Sequence, residues 1–256
     1  LNNVGKTDQA LGDWNQARTA FTESLEIRRR ILQRVGETPE ALRDLSISLE
    51  RIGNTDQALG DWNQARTDFT ESLEISRRIL QRVGETPEAL RDLSISLERI
   101  GNTDQALGDW NRARTDFTES LEIRRRILQR VGETPEALRD LSISLERIGN
   151  TDQALGDWNQ ARTAFTESLE IRRRILQRVG ETPEALRDLS ISLNNVGKTD
   201  QALGDWNQAR KAFTEGLEIA RQLAAALPEH QDHKRLPDWF ERRLAELAAA
   251  QEEDRA

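Results

Sequence analysis

Two histidines, His230 and His233, stand three residues apart beside Glu229 and Asp232. On a helix that spacing can offer two imidazoles to one metal ion. No third ligand set accompanies them, and the stretch from Pro228 to Pro237 that carries them reads as a polar surface linker, so no metal is expected. The chain has no cysteine, which excludes disulfides, zinc–thiolate sites and a cysteine nucleophile. Its glycines never reach the spacing of a P-loop or a dinucleotide-binding turn. With two clustered histidines as the whole supply, no nucleophile–base pair can be assembled. Neither catalysis nor a cofactor is expected.

Arginine runs at 28–30, 124–126 and 172–174 raise the possibility of a phosphate or RNA surface. Three consecutive helical residues, however, splay around most of a turn. Glu26 precedes Arg29 and Arg30 by three and four residues, the spacing of intrahelical ion pairs. The second copy of the run opens on Ser76, a position a phosphate track should not spare. The net charge of -8 and a pI near 5.1 also argue against a nucleic-acid-seeking surface. The expectation is a solvated, salt-bridged helix face.

These residues sit in a repeat. Trp14, Trp62, Trp110, Trp158 and Trp206 are 48 residues apart, as are Phe21, Phe69, Phe117, Phe165 and Phe213. Fourteen of the 15 glycines fall in three slots of the unit, typified by Gly53, Gly60 and Gly84. Thr38-Pro39-Glu40 announces a first helix (A): Thr caps, Pro suits the first turn, Glu complements the dipole. Leu42, Leu45, Leu49, Ile52 and Leu59 then follow at the spacing of one helical stripe. Gly60-Asp61 breaks the chain before a second helix (B), where Trp62, Ala65, Phe69, Leu73, Ile79, Leu80 and Val83 continue the stripe and Gly84 stops it. Each unit is a helical hairpin whose stripe is buried only by stacking on its neighbours.

Ile52-Gly53, Gly60-Asp61-Trp62, Ala65, Phe69 and Ser72-Leu73 resemble the tetratricopeptide repeat (TPR) pattern over residues 1–220. Gly53 and Ala65 are small where two helices must cross closely, with Trp62 and Phe69 filling the core around them. Asp56 stands where family repeats usually carry an aromatic. The unit is 14 residues longer than the 34-residue TPR, so each helix gains about two turns. Length alone would suit HEAT or armadillo repeats; the Gly-Asp-Trp, Ala and Phe constellation favours TPR. The long, Arg43-Asp44-Leu45-Ser46-bearing form is similar to arrays of bacterial multidomain signalling and defence proteins.

The implied fold is an all-α solenoid, a right-handed superhelix of TPR-like hairpins with about eleven helices. The array spans 1–227, with its first unit truncated and its last divergent; 228–236 is a polar linker, and 237–256 a capping helix around Trp239, Phe240, Leu244 and Leu247 with an acidic tail. By the resemblance, helix A lines a concave groove for a protein or peptide partner. The matching slots are Ile47 with Glu50, Arg51, Asn54 and Gln57, then Glu98, Arg99, Asn102 and Gln105, then Glu146, Arg147, Asn150 and Gln153. An arginine fork beside an asparagine amide suits carboxylates or extended backbone, although the adjacent glutamates oppose a purely anionic ligand. The wet side of a helix would carry the same residues.

The longest apolar run, Leu223 to Leu227, is far below a membrane span of roughly 18 residues. Without a signal peptide the chain reads as cytoplasmic, with no membrane partner. The outermost units differ from the middle ones on the inner face: Asn2, Asn3, Val4 and Lys6 return as Asn194, Asn195, Val196 and Lys198. The first helix is cut to about eleven residues, leaving an uncapped stripe. Further repeats upstream, or association of chains through that end, are therefore expected. A scaffold that binds a partner in the groove is the leading expectation, followed by end-to-end assembly and then RNA binding through the Arg-rich helices.

Overall fold

The computed structural model describes residues 1–253, with side chains to residue 251; the last part of the expected acidic tail, 254–256, lies outside them. Eleven helices occur among the described residues. They are α1 (Asn2–Ala10), α2 (Trp14–Val35), α3 (Pro39–Ala58), α4 (Trp62–Val83), α5 (Pro87–Ala106), α6 (Trp110–Val131), α7 (Pro135–Ala154), α8 (Trp158–Val179), α9 (Pro183–Ala202), α10 (Trp206–Ala226) and α11 (Gln231–Glu253). The chain divides into two compact units, Leu1–Val131 and Gly132–Ala256. Each is a stack of antiparallel hairpins in which α3, α5, α7 and α9 are A helices and the even-numbered helices are B helices.

The local signals act as their chemistry requires. Thr38 accepts a hydrogen bond from the Ala41 amide at 3.2 Å, and Pro39 occupies the first turn of α3. Gly60 turns the chain with φ of 80°, a region that costs a residue bearing a Cβ, and Asp61 then caps α4 by accepting from the Gln64 amide.

In the Leu1–Val131 unit, Ala17, Phe21 and Leu25 of α2 pack on Leu42, Leu45, Leu49 and Ile52 of α3, with Ile75 and Ile79 of α4 closing the layer. The same pattern repeats one hairpin on, from Ala65, Phe69 and Leu73 to Leu90, Leu93, Leu97 and Ile100, closed by Ile123 and Ile127. In the second unit α8 packs on α9 and α10 likewise, and α11 covers α10 through Phe240 and Leu247. The phenylalanines are fully buried, whereas the repeat tryptophans, read above as core, are half-buried at the hairpin bends.

Each buried phenylalanine lies against a glycine. A Cβ added to Gly53 would meet Phe69 Cε1 at 2.7 Å, and one on Gly101 would meet Phe117 Cε1 at 2.6 Å. The glycine that falls outside the three repeat slots, Gly216, has the same cause. It replaces the serine of other copies because Phe240 of α11 presses there, leaving no room for an added Cβ.

Helix α11 begins at Gln231 and carries Pro237 inside it, so His233 is helical and not in a linker, while His230 just precedes the helix. His233 is buried and stacks on His230 at 4.1 Å between ring centroids. Burial, then the neighbouring His230 and Arg187, lower its pKa, so it stays neutral more readily than a free imidazole. No group of three or more metal-ligating side chains occurs among the described residues. No described helix is long and apolar enough to cross a membrane.

The α2 face differs from its copies. Ile27 and Ile31 are each 45% exposed, whereas the equivalent Ile75 and Ile79 are 2% exposed, because α1 has no counterpart of Leu42 and Leu45 to cover them.

Replacing Gly101 by alanine should destabilise the chain by about 1–3 kcal/mol, the usual cost of overpacking a close crossing. Pairing it with Phe117→Leu should recover part of that loss in a chemical-denaturation double-mutant cycle, because the shorter side chain yields space.

Candidate functional face

The A helices place the groove residues on one face, and the structure commits several of them to neighbouring repeats. Gln57 donates to Thr103 Oγ1 at 3.0 Å, and Gln153 to Thr199 Oγ1 at 2.9 Å. Gln9 makes the same bond to Thr55 at 3.1 Å, so this glutamine slot is a tie between successive A helices. Arg99 does not pair with Asn102 of its own helix. Its guanidinium reaches back to the preceding A helix, donating to Asn54 Oδ1 at 2.7 Å and lying 3.4 Å from Glu50. Its charge also lies over the Phe69 ring, 5.8 Å from the centroid. The Arg99 guanidinium is thus engaged by an asparagine of the preceding repeat, a partnership that sequence spacing along one helix does not reveal.

Eleven of the twelve residues, Glu50, Arg51, Asn54, Gln57, Glu98, Arg99, Asn102, Gln105, Glu146, Arg147 and Gln153, are half-buried, and Asn150 is exposed. Apolar surface lies among them. Each A helix carries an isoleucine three residues before the glutamate slot: Ile47 and Ile191 are 41% and 39% exposed, and Ile95 and Ile143 are half-buried.

The arginine runs are salt-bridged as expected, but only their second and third members lie on a solvated face. Their three members reach in three directions. The first of each run turns inward: Arg124 and Arg172 are buried, and Arg172 lies 3.5 Å from Glu146 of α7 and 2.5 Å from Asp188 of α9. Arg28 pairs in the same way with Asp44. The second member joins one B helix to the next, as in Arg29 with Glu71 at 2.7 Å and Arg77 with Glu119 at 2.9 Å. The third reaches the loop glutamate of the preceding hairpin, as in Arg126 with Glu85 at 2.8 Å. The intrahelical pair of Arg30 with Glu26 does form, at 3.9 Å, but it is a minor part of the pattern.

Asp56 occupies the slot of the family aromatic, and it is fully buried. Its charge is met by Arg18 Nε at 2.8 Å from the preceding B helix. Arg66 meets Asp104 at 3.0 Å and Arg162 meets Asp200 at 2.8 Å in the same manner. Burial raises the pKa of Asp56, Asp104 and Asp200, and the paired arginines oppose that rise.

Two middle repeats add a second carboxyl at this layer. Asp68 and Asp116 stand where the other copies have Ala20, Ala164 and Ala212. Burial, with the Asp56 carboxyl beside it, raises Asp68 to about 7; burial, with Asp104 and Glu119, raises Asp116 to about 6. Neither was singled out from sequence, although both stand out once the copies are aligned. Burial likewise raises Glu50 and Asp92.

A tetratricopeptide-repeat family model matches residues 1–59, 44–107 and 140–222, and a second tetratricopeptide-repeat model matches 95–131. No curated protein sequence matches the chain. Among solved structures, BtubC from P. vanneervenii is similar over 93% of this chain and 92% of its own, with TM-score 0.58 and 15% identity. A kinesin-light-chain-type protein of Podosopora anserina with nearly identical TPR-like repeats is similar over 86% of this chain and 93% of its own (TM-score 0.63, 16% identity). The signal transduction ATPase with numerous domains from Pyrococcus horikoshii, which has a tetratricopeptide repeat sensor, matches 98% of this chain and 37% of its own, with TM-score 0.54 and 12% identity.

An acid whose pKa is higher in the folded state than in the unfolded chain favours folding at low pH and opposes it once ionised. For Asp68 that penalty grows from about pH 4 to pH 7 and is complete above. Asp68→Ala, the residue of the outer copies, should therefore stabilise the chain by about 1–2 kcal/mol at pH 8 and by little at pH 4. Thermal melts across that range check it.

Proposed function

The chain belongs to the tetratricopeptide repeat family, and from that premise we propose that it is a non-enzymatic scaffold holding a protein or peptide partner against the exposed face of its A helices. The observation that carries this reading is the isoleucine on every A helix, exposed or half-exposed among Glu50, Arg51, Asn54 and their copies. Apolar side chains at one slot, rimmed by charged and amide groups, offer a partner both buried area and orienting hydrogen bonds. Arg51 adds a cation with no ion pair among the described residues. The arginine runs, in contrast, are engaged with carboxylates, which supports a protein partner over RNA. A sensor or partner-binding arm within a larger bacterial signalling protein, working in the cytoplasm, fits this reading.

A second reading is favoured by a separate observation. Leu1, Val4, Ile27, Ile31 and Val35 are exposed at the α1–α2 end, an apolar surface that a second copy of the chain, or a repeat ahead of Leu1, would cover.

Ile47→Asp with Ile191→Asp should abolish capture of host partners while lowering the melting temperature by only a few degrees, since exposed positions contribute little to stability. Arg30→Ala on a B helix should leave capture intact. Unchanged capture by the isoleucine variant would refute the proposed face, and mass spectrometry of the captured material identifies the partner. The second reading expects a sedimentation mass that grows with concentration and returns to one chain in Ile27→Asp with Ile31→Asp.

A further inference from the structure

The 48-residue period makes each repeat a control for the others, and one position breaks it in a way that leaves a gap. Slot 76 is arginine in three other copies, Arg28, Arg124 and Arg172, and serine only in α4. In the Gly132–Ala256 unit the side chain of that slot is well defined by its partners. Arg172 is 5% exposed and bridges Glu146 on one A helix and Asp188 on the next, at 3.5 and 2.5 Å. Glu146 Oε1 also accepts from Ser168 and Ser192, each at 3.1 Å. The buried carboxylate is thereby surrounded by donors, as its burial demands.

In the Leu1–Val131 unit the same two carboxylates are present, as Glu50 of α3 and Asp92 of α5, but the cation between them is missing. The serines have turned to one another: Ser72 bonds Ser46 at 2.8 Å, and Ser76 bonds Ser96 at 3.0 Å. Glu50 keeps one ionic neighbour, Arg99 at 3.4 Å, and Asp92 keeps Arg43 at 3.3 Å. Burial holds both carboxyls above their usual pKa, although Arg99 and Arg43 oppose that rise. A cavity of about 200 Å³ lies between them, floored by Ser76 and Ile79, flanked by the exposed Ile47 and bordered by Arg43 and Arg99. That volume is several times the roughly 30 Å³ of one water molecule.

We propose that the cavity over Ser76 is a guanidinium-binding site, in which an arginine side chain of a bound partner, or a small guanidinium compound, lies between Glu50 and Asp92 as Arg172 lies between Glu146 and Asp188. A planar, doubly donating cation fits two carboxylates on adjacent helices in a way that a compact ammonium does not. The site lies on the A-helix face but stands on its own carboxylates, so its failure and the failure of the partner-binding reading are separable.

Calorimetric titration of the whole chain with ethylguanidinium at constant ionic strength tests it, with ethylammonium as the matched cation. Saturable binding of ethylguanidinium is expected, with ethylammonium at least about tenfold weaker. Ser76→Arg, which installs the side chain of the other copies, should fold, melt no lower than the parent, and weaken ethylguanidinium binding by at least about tenfold. Glu50→Gln should weaken it comparably and serves as an independent check. A short arginine-containing peptide that binds tighter than ethylguanidinium assigns the site to a partner's side chain; equal affinities assign it to a free compound. Absence of saturable binding, or equal binding by Ser76→Arg, overturns the proposal, while capture by the isoleucine face is read separately.

Discussion

The contact on which the structure depends is the one between a helix-A glycine and the phenylalanine of its own helix B. Gly53 against Phe69 lets the two helices approach until the ring lies on backbone, and an added methyl would fall within 2.7 Å of it. That approach sets the crossing of the hairpin, and the crossing sets which residues of each helix face the next hairpin. Leu90, Leu93 and Leu97 meet Phe69 and Leu73 because the hairpin is closed in this way. The same contact returns at the end of the array, where Gly216 accepts Phe240 of α11 in place of a serine. One steric rule therefore governs both the repeats and the helix that covers the last of them.

Charge does the remaining work of register. Stripes of leucine and isoleucine are tolerant of small slips, but a buried carboxylate is not, because an unpaired one is strongly destabilising. Asp56 must meet Arg18, Asp104 must meet Arg66, and Asp200 must meet Arg162. Each pair joins a B helix to the following A helix, so each defines one relative position of successive hairpins. Gln57 on Thr103 and Arg29 on Glu71 add the A-to-A and B-to-B ties. The high charged content of the chain is thus internal wiring between repeats as well as solvated surface.

Against so regular a background, departures carry information. Asp68 and Asp116 place a second acid beside an already buried one, and burial raises the pKa of both. Ser76 removes a cation from between two carboxylates that remain. Both kinds of departure fall in the middle repeats, next to the A helices that expose Ile47 and carry Arg99.

Much of the architecture was legible in the residues themselves. A strict 48-residue period, a capped start at Thr38-Pro39 and a stop at Gly84 determine helix identity and boundaries, because these are local backbone preferences. The close crossing was legible too, since only a small residue in register with a buried ring explains the glycine and phenylalanine slots. Partnership between charges was not. Arg29 and Glu26 stand at an ideal intrahelical spacing, yet Arg29 reaches Glu71, because the stacked helices bring a carboxylate closer than the helix's own. Arg99 belongs with Asn54 and not with Asn102 for the same reason. His233 became buried because α11 starts before Pro237 and lies against α10. By itself the sequence determined what each helix is and where it turns, through dihedral preferences and apolar periodicity. Only the tertiary structure decided which charges meet and where one is missing, because those distances are set across helices, not along them.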